Sequence, residues 1–167
     1  PIGPLFGTAA SPLVDGDLVI VHVGGHDDGA LTAFDAATGA VRWAWSGDGP
    51  SYASPVVVEL HGTRQVITQT QDHVVAVDTA TGALLWQRPF TTPYQQNSID
   101  PVVVDGLVIV SGTLTPTVAF RVLREAGAWT TEDVWENAEA TFYMTNGLLV
   151  DRMLFGLTER NRGQYIL

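Results

Sequence analysis

The sequence contains no cysteine. That rules out disulfides, thiolate nucleophiles and cysteine metal sites, and it leaves the redox compartment unreadable. Positive charge is scarce: eight Lys and Arg stand against eighteen Asp and Glu, for a formal net charge of −10. Phosphate backbones and anionic bilayers are bound through clustered cations, so neither nucleic acid nor an anionic membrane surface is expected as a partner. The apolar runs fall well short of the ~20 residues that cross a bilayer, so no membrane span is expected. Helix-period stretches are nearly missing. The start, "PIGPLFGTAASP", shows no leader pattern and reads as the middle of a repeat. What remains is a chain of 167 residues, 46% of them hydrophobic, enough to bury a core.

The apolar residues recur in a repeat. "ASPLVDGDLVIV" (10–21), "ASPVVVELHGTRQVI" (53–67), "IDPVVVDGLVIV" (99–110) and "TNGLLVDRMLFGL" (145–157) align in order, with Pro12, Pro55, Pro101 and Gly147 in the same place. Each unit begins with a short apolar run, a turn and a second apolar run. The turns Asp15-Gly16 and Asp105-Gly106 read as hairpins. A third run carries "ALTAF", "HVVAV", "TVAFRV" or "GQYIL", and a fourth carries "VRWAW", "LLWQR" or "DVWEN". Four short strands per unit predict an all-β chain of four-stranded antiparallel β-propeller blades. The units run at approximately 10–52, 53–98, 99–144 and 145–167, the last incomplete.

One phrase is spelled twice: "AFDAATGAVRW" at 33–43 and "AVDTATGALLW" at 76–86, identical at seven of eleven positions. It spans the turn between a third and a fourth strand. Asp35 and Asp78 are expected to accept backbone N–H groups two and three residues on. Thr38 and Thr81 help to close the loop, and Gly39 and Gly82 supply positive φ. Trp43 and Trp86 follow, each expected to cover a joint between neighbouring blades, with Ala33 and Ala76 leaving room for a flat ring. The phrase builds the blade rather than performing chemistry.

Ala-x-Asp-x-x-Thr-Gly-x-x-x-Trp resembles the tryptophan-docking motif of the pyrroloquinoline-quinone-like (PQQ-like) propeller repeats. Such repeats occur in quinoprotein dehydrogenases and in the scaffold lipoprotein of the outer-membrane barrel-assembly machinery. The resemblance covers essentially the whole chain. Trp135 keeps the tryptophan in the third unit, where "REAGAWTTEDVW" (124–135) has lost Asp-x-x-Thr-Gly. For the enzymes of the family, the resemblance implies PQQ and calcium held by acidic and amide side chains, a disulfide between adjacent cysteines and an aspartate base. No cysteine is present and no residue here matches that set individually. Only the docking residues carry over, no cofactor is evident, and PQQ with calcium belongs to the alternative reading alone. The resemblance also implies an extracytoplasmic home.

Other candidates have plainer explanations. "HVGGHDD" places His22, His26, Asp27 and Asp28 together, but the histidine spacing suits a helix face and the segment reads as strand and turn. "DGD" at 15–17 lacks the downstream glutamate of a calcium loop. His61 and His73 read as solvated turn residues. A better site comes from topology. Loops from the last strand of one blade to the first strand of the next must gather on one face, and they carry Tyr52, Tyr94, Gln96, Asn97 and Tyr143. Tyrosines and amides around a channel mouth suit a protein segment or a small polar ligand.

Closed propellers have roughly 4–8 blades, so about three and a half blades are expected to be part of a larger ring. The alternative is a two-chain ring in which residues 1–6 complete a partner's last blade. Bare blade edges leave self-association open. The sequence thus reads as a non-catalytic binding or assembly scaffold. The competing reading is a fragment of a PQQ-dependent oxidoreductase acting on alcohols or sugars.

Overall fold

The apolar runs form strands that pair with their neighbours in chain order. A computed structural model describes residues 4–142, 144–158 and 165–166. The first blade consists of β1 (Leu13–Asp15), β2 (Leu18–Val23), β3 (Ala30–Asp35) and β4 (Val41–Trp45). The second consists of β5 (Val56–Leu60), β6 (Thr63–Gln69), β7 (His73–Asp78) and β8 (Leu84–Pro89). The third consists of β9 (Val102–Val104), β10 (Leu107–Gly112), β11 (Thr115–Glu125) and β12 (Ala128–Asn137). In the fourth unit β13 (Leu148–Val150), β14 (Met153–Leu157) and β15 (Tyr165–Ile166) form a three-stranded sheet. Every pairing is antiparallel between sequential strands, which is the meander of propeller blades.

Turn chemistry sets the registers. His61-Gly62 and Asp105-Gly106 each hold two successive residues at positive φ, the type I′ geometry that matches strand twist. Asp151 and Arg152 adopt the same conformation without a glycine. In the first blade Asp15 pairs with Leu18, so the two-residue turn is Gly16-Asp17 and not Asp15-Gly16. The turn keeps the place it has in the third blade, since Asp15 and Val104 each lie three residues past the repeat proline, and of its two residues Gly16 alone takes positive φ, at 60°.

One registration recurs across three blades. Ala33 faces Trp43, Ala76 faces Trp86 and Ala119 faces Trp135, each followed by a bulge in the ladder. Ala119 therefore takes the place of Ala33 and Ala76, although the third unit has lost the turn phrase. The third hairpin instead runs on through Glu125 to a tight turn at Ala126-Gly127, both at positive φ.

The core lies in the joints between blades. Leu18, Ile20, Leu31 and Trp43 of the first blade pack with Val66 and Val77 of the second. Ile67, Ala76, Trp86 and Phe90 of the second pack with Val108, Phe120 and Val122 of the third. Each buried side chain of this size contributes ~1.5–3 kcal/mol through lost apolar surface.

Candidate functional site

The two copies of the repeated phrase fold alike. Asp35 Oδ1 accepts the N–H groups of Ala37 (3.1 Å) and Thr38 (2.9 Å) and the Thr38 hydroxyl (2.8 Å). Asp78 Oδ1 accepts the same three groups from Ala80 and Thr81 at the same distances. The Thr38 hydroxyl is the largest of the contacts that hold the Asp35 carboxyl below its ordinary range.

The surroundings of the two copies differ. The Trp43 ring lies on Gly82 of the next blade: a Cβ there would come within 2.6 Å of it, whereas one on Gly39 would meet nothing. Trp43 Nε1–H donates to the carbonyl of Thr79 at 2.9 Å. Trp86 Nε1–H turns instead to Gln65 Oε1 within its own blade, at 2.9 Å, and its ring meets Phe120 edge-on at 5.7 Å. Trp135 is 41% exposed. It lines a cavity of about 330 Å³ with Ile109, Phe142 and Leu154, between the third and fourth units.

Where the phrase is missing, a different clasp joins the second blade to the third. His61 Nε2–H donates to Val122 O at 2.8 Å and its ring meets Trp129 edge-on. Arg124 lies 4.9 Å over Trp129 and donates to Thr63 Oγ1. His61 is thus engaged with the next blade and is not a free turn residue. His73 is likewise tied down, with Nδ1 2.8 Å from Asp48 Oδ2. Of the carboxylates of "HVGGHDD", one closes its own loop and the other reaches the next blade. Asp28 accepts Gly25 N–H, while Asp27 exchanges two hydrogen bonds with Gln71. The His22 ring is buried with neither nitrogen partnered.

The loops between blades converge on one face, tied by a relay. Ser11 N–H donates to Ser54 Oγ (3.0 Å), Ser54 N–H to Asp100 Oδ1 (2.5 Å), and Asp100 N–H to Asn146 Oδ1 (2.9 Å). Asn146 returns a bond to Asp100 Oδ2 at 2.7 Å. Each of these residues immediately precedes the proline-or-glycine position of its repeat. They were visible as a periodic column of small polar residues, yet sequence reasoning passed over them. Burial is the main influence on Asp100 and pushes its carboxyl above the ordinary range, against the donors that hold it down.

The mouth residues separate into two groups. Tyr52 and Gln96 line a largely apolar cavity of about 560 Å³ together with Phe6, Ser98, Met144 and Asn146. Tyr52 OH accepts the N–H of Phe6 at 3.1 Å, and the two rings lie 6.2 Å apart. Tyr94 stands outside this cavity, 84% exposed, at φ 62°. Asn97 is fully buried and is not open to a ligand. Its amide donates to the carbonyls of Thr70, Gln71 and Phe90 and accepts from Thr92 N–H, so a short polar residue placed in the loop serves the backbone. Tyr143 lies outside the described residues. Among the described residues no helix is long and apolar enough to cross a membrane.

Sequential four-stranded meanders packed face to face, with their entry loops braced on one side, define a β-propeller segment built from PQQ-like repeats. The chain belongs to the PQQ-like propeller family whose model is described as outer membrane protein assembly factor BamB, matched over residues 3–166. Its fold is similar to that of BamB from Moraxella catarrhalis, with a TM-score of 0.61 at 20% identity over 95% of this chain. It is also similar to the quinohemoprotein alcohol dehydrogenase ADHIIG from Pseudomonas putida HK5, with a TM-score of 0.55 at 18% identity over 78% of this chain. The chain spans 48% of the BamB structure and 20% of the dehydrogenase. No curated protein matches the sequence.

Proposed function

We propose that this chain is part of a non-catalytic, extracytoplasmic assembly scaffold whose entry-loop face holds a short segment of a partner protein. The observation that carries this reading is the Tyr52–Phe6 contact, in which a tight turn of the chain, closed by Gly7 N–H donating to the Pro4 carbonyl at 2.8 Å, already lies on the mouth. The Phe6 N–H reaches the Tyr52 hydroxyl and its ring sits beside the tyrosine, over a cavity whose walls are mostly apolar. A backbone N–H bonded to a side-chain hydroxyl, with an apolar pocket beside it to take a ring, is a way to seat a short peptide segment. The family match to an assembly factor points the same way. In this reading the paired phrases, Ala33 to Trp43 and Ala76 to Trp86, are docking elements that hold the face rigid.

The dehydrogenase likeness raises the second reading, an oxidoreductase carrying PQQ and calcium. The residues present do not fit that group. Among the described residues no three His, Asp or Glu side chains are placed to hold a metal ion, and there is no cysteine for the disulfide.

The test is a titration of isotopically labelled protein with a blocked Gly-Phe-Gly peptide, with Gly-Ala-Gly as control. Resonance shifts at Tyr52, Gln96 and Ser98 with the Phe peptide alone support the reading. Shifts scattered over the surface, or none at all, overturn it. Saturable binding of PQQ in the presence of calcium favours the oxidoreductase.

A further inference from the structure

We infer that the outer edge of the third blade, strand β12, is a docking site for an extended, lysine- or arginine-bearing segment of another protein, which adds to the blade as a fifth strand. The site is independent of the entry-loop face.

The first observation is length. β12 has ten residues, whereas the outer strands β4 and β8 have five and six. Outer strands present unpaired backbone, and proteins usually blunt them by shortening them or by adding proline or lysine. β8 ends at Pro89 and carries Arg88, and β4 carries Arg42. β12, "AWTTEDVWEN", has no proline and no cation, and its first half is rich in the strand-favouring Trp and Thr.

The second observation is which way the backbone points. Val122 gives its carbonyl to His61, away from β12. In an antiparallel ladder a residue's N–H and C=O point to the same side, and pairs alternate. Thr131 is paired with Val122, so it turns both groups outward, as do Trp129 opposite Arg124 and Asp133 opposite Phe120. The ladder breaks only beyond Asp133, at the bulge opposite Ala119 and Phe120. The stretch Ala128–Asp133 is therefore a regular edge, and near its start Trp129 packs on His61 and Arg124.

Charge names the occupant. From Glu125 through Glu139 the chain has five acidic residues and no basic one. Asp133 is already paired with Arg88 of β8, which leaves the exposed Glu132 and Glu136 as the charges β12 offers a partner. A second copy of the same strand would set like charges opposite one another, which is destabilising, whereas lysines or arginines at cross-strand positions are attracted. Completing a propeller ring covers the faces of a blade and not its outer edge, so the blade count does not bear on this site.

Amide hydrogen exchange on the labelled chain tests the proposal, with a peptide alternating Lys with Val and Thr as probe and the same peptide with Glu for Lys as control. The Lys peptide is expected to slow the Thr131 and Asp133 amides several-fold and to leave those of Thr130 and Glu132, which face β11, unchanged. Added salt should weaken the effect. Thr131→Pro removes an outward N–H, a change edge strands tolerate, and should abolish the slowing. Glu132→Lys with Glu136→Lys should also abolish it, by reversing the charge. Equal slowing by the Glu peptide, no slowing by either peptide, or slowing that rises with protein concentration in the absence of peptide each overturns the proposal. The last result would mean that a second copy occupies the edge.

Discussion

The indole N–H of Trp43 and the carbonyl oxygen of Thr79 lie 2.9 Å apart across the joint between the first two blades. The same ring rests on Gly82, which makes that glycine unlike its repeat partner Gly39, although both sit at φ 71°. Alanine at Gly39 meets open space and should cost only the left-handed backbone strain, ~1–2 kcal/mol. Alanine at Gly82 meets the ring as well, adding ~1–3 kcal/mol of overpacking. Urea melts of the two variants compare them directly. Equal losses would mean that the ring does not bear on Gly82.

Truncating the tryptophans should rank them by burial. Trp86→Ala and Trp43→Ala should each cost about 3–5 kcal/mol, Trp129→Ala less, and the half-exposed Trp135→Ala least. The same melts provide the check, and equal destabilisation at all four positions contradicts the ranking.

Asn97 and Tyr94 lie three residues apart in one loop and should behave in opposite ways. Asn97→Ala strands the buried carbonyls of Thr70 and Phe90 and the N–H of Thr92, a loss of about 2–4 kcal/mol. Tyr94→Ala removes an exposed ring and should change stability by less than ~0.5 kcal/mol. Calorimetric melting separates the two. A destabilised Tyr94→Ala would mean that the ring plugs the loop.

Burial pulls the His22 pKa down from 6.5 to about 4, opposed by the charge of Asp48. The unfolded chain takes up this proton more readily than the folded one. The contribution of His22 to stability is therefore complete above pH 6.5 and is lost as the pH falls towards 4. The loss is about 3 kcal/mol from linkage. Asp100 acts in the opposite sense, since a raised carboxyl pKa makes stability fall as the pH rises. Gln69 holds the place of His22 in the second blade, so His22→Gln should flatten the profile between pH 6.5 and 4. Stability measured by urea across that range decides, and an unchanged slope in the variant would assign it to other groups.

The four-stranded blades were legible because each unit carries its own turn residues and apolar runs, and the hairpins are local. What escaped the sequence depends on the neighbouring blade. Nothing near Asn97 in the chain shows that three carbonyls will surround it, so it reads as a loop amide open to a ligand. His61 reads as a solvated turn because its partners, Val122 and Trp129, lie more than fifty residues away. The third hairpin looked like a decayed phrase because its tip moved out to Ala126-Gly127, while the Ala119–Trp135 pair stayed in register. Tyr52 and Gln96 were found by topology alone, which gathers loops on a face without saying which side chains turn inward.

The relay from Ser11 through Ser54 and Asp100 to Asn146 has a handedness: Ser54 and Asp100 each give their N–H forward and receive on the side chain from behind, Ser11 only gives its N–H, and Asn146 receives from Asp100 N–H. A row of such links always has one fewer bond than members, whereas a circle has as many bonds as members. The last link of a closing circle would therefore form between groups already held in place by their own blades, with almost no further loss of chain entropy. Blades joined in this way behave as a nearest-neighbour array, in which the closing contact is the least costly to order and the first blade the hardest to hold alone.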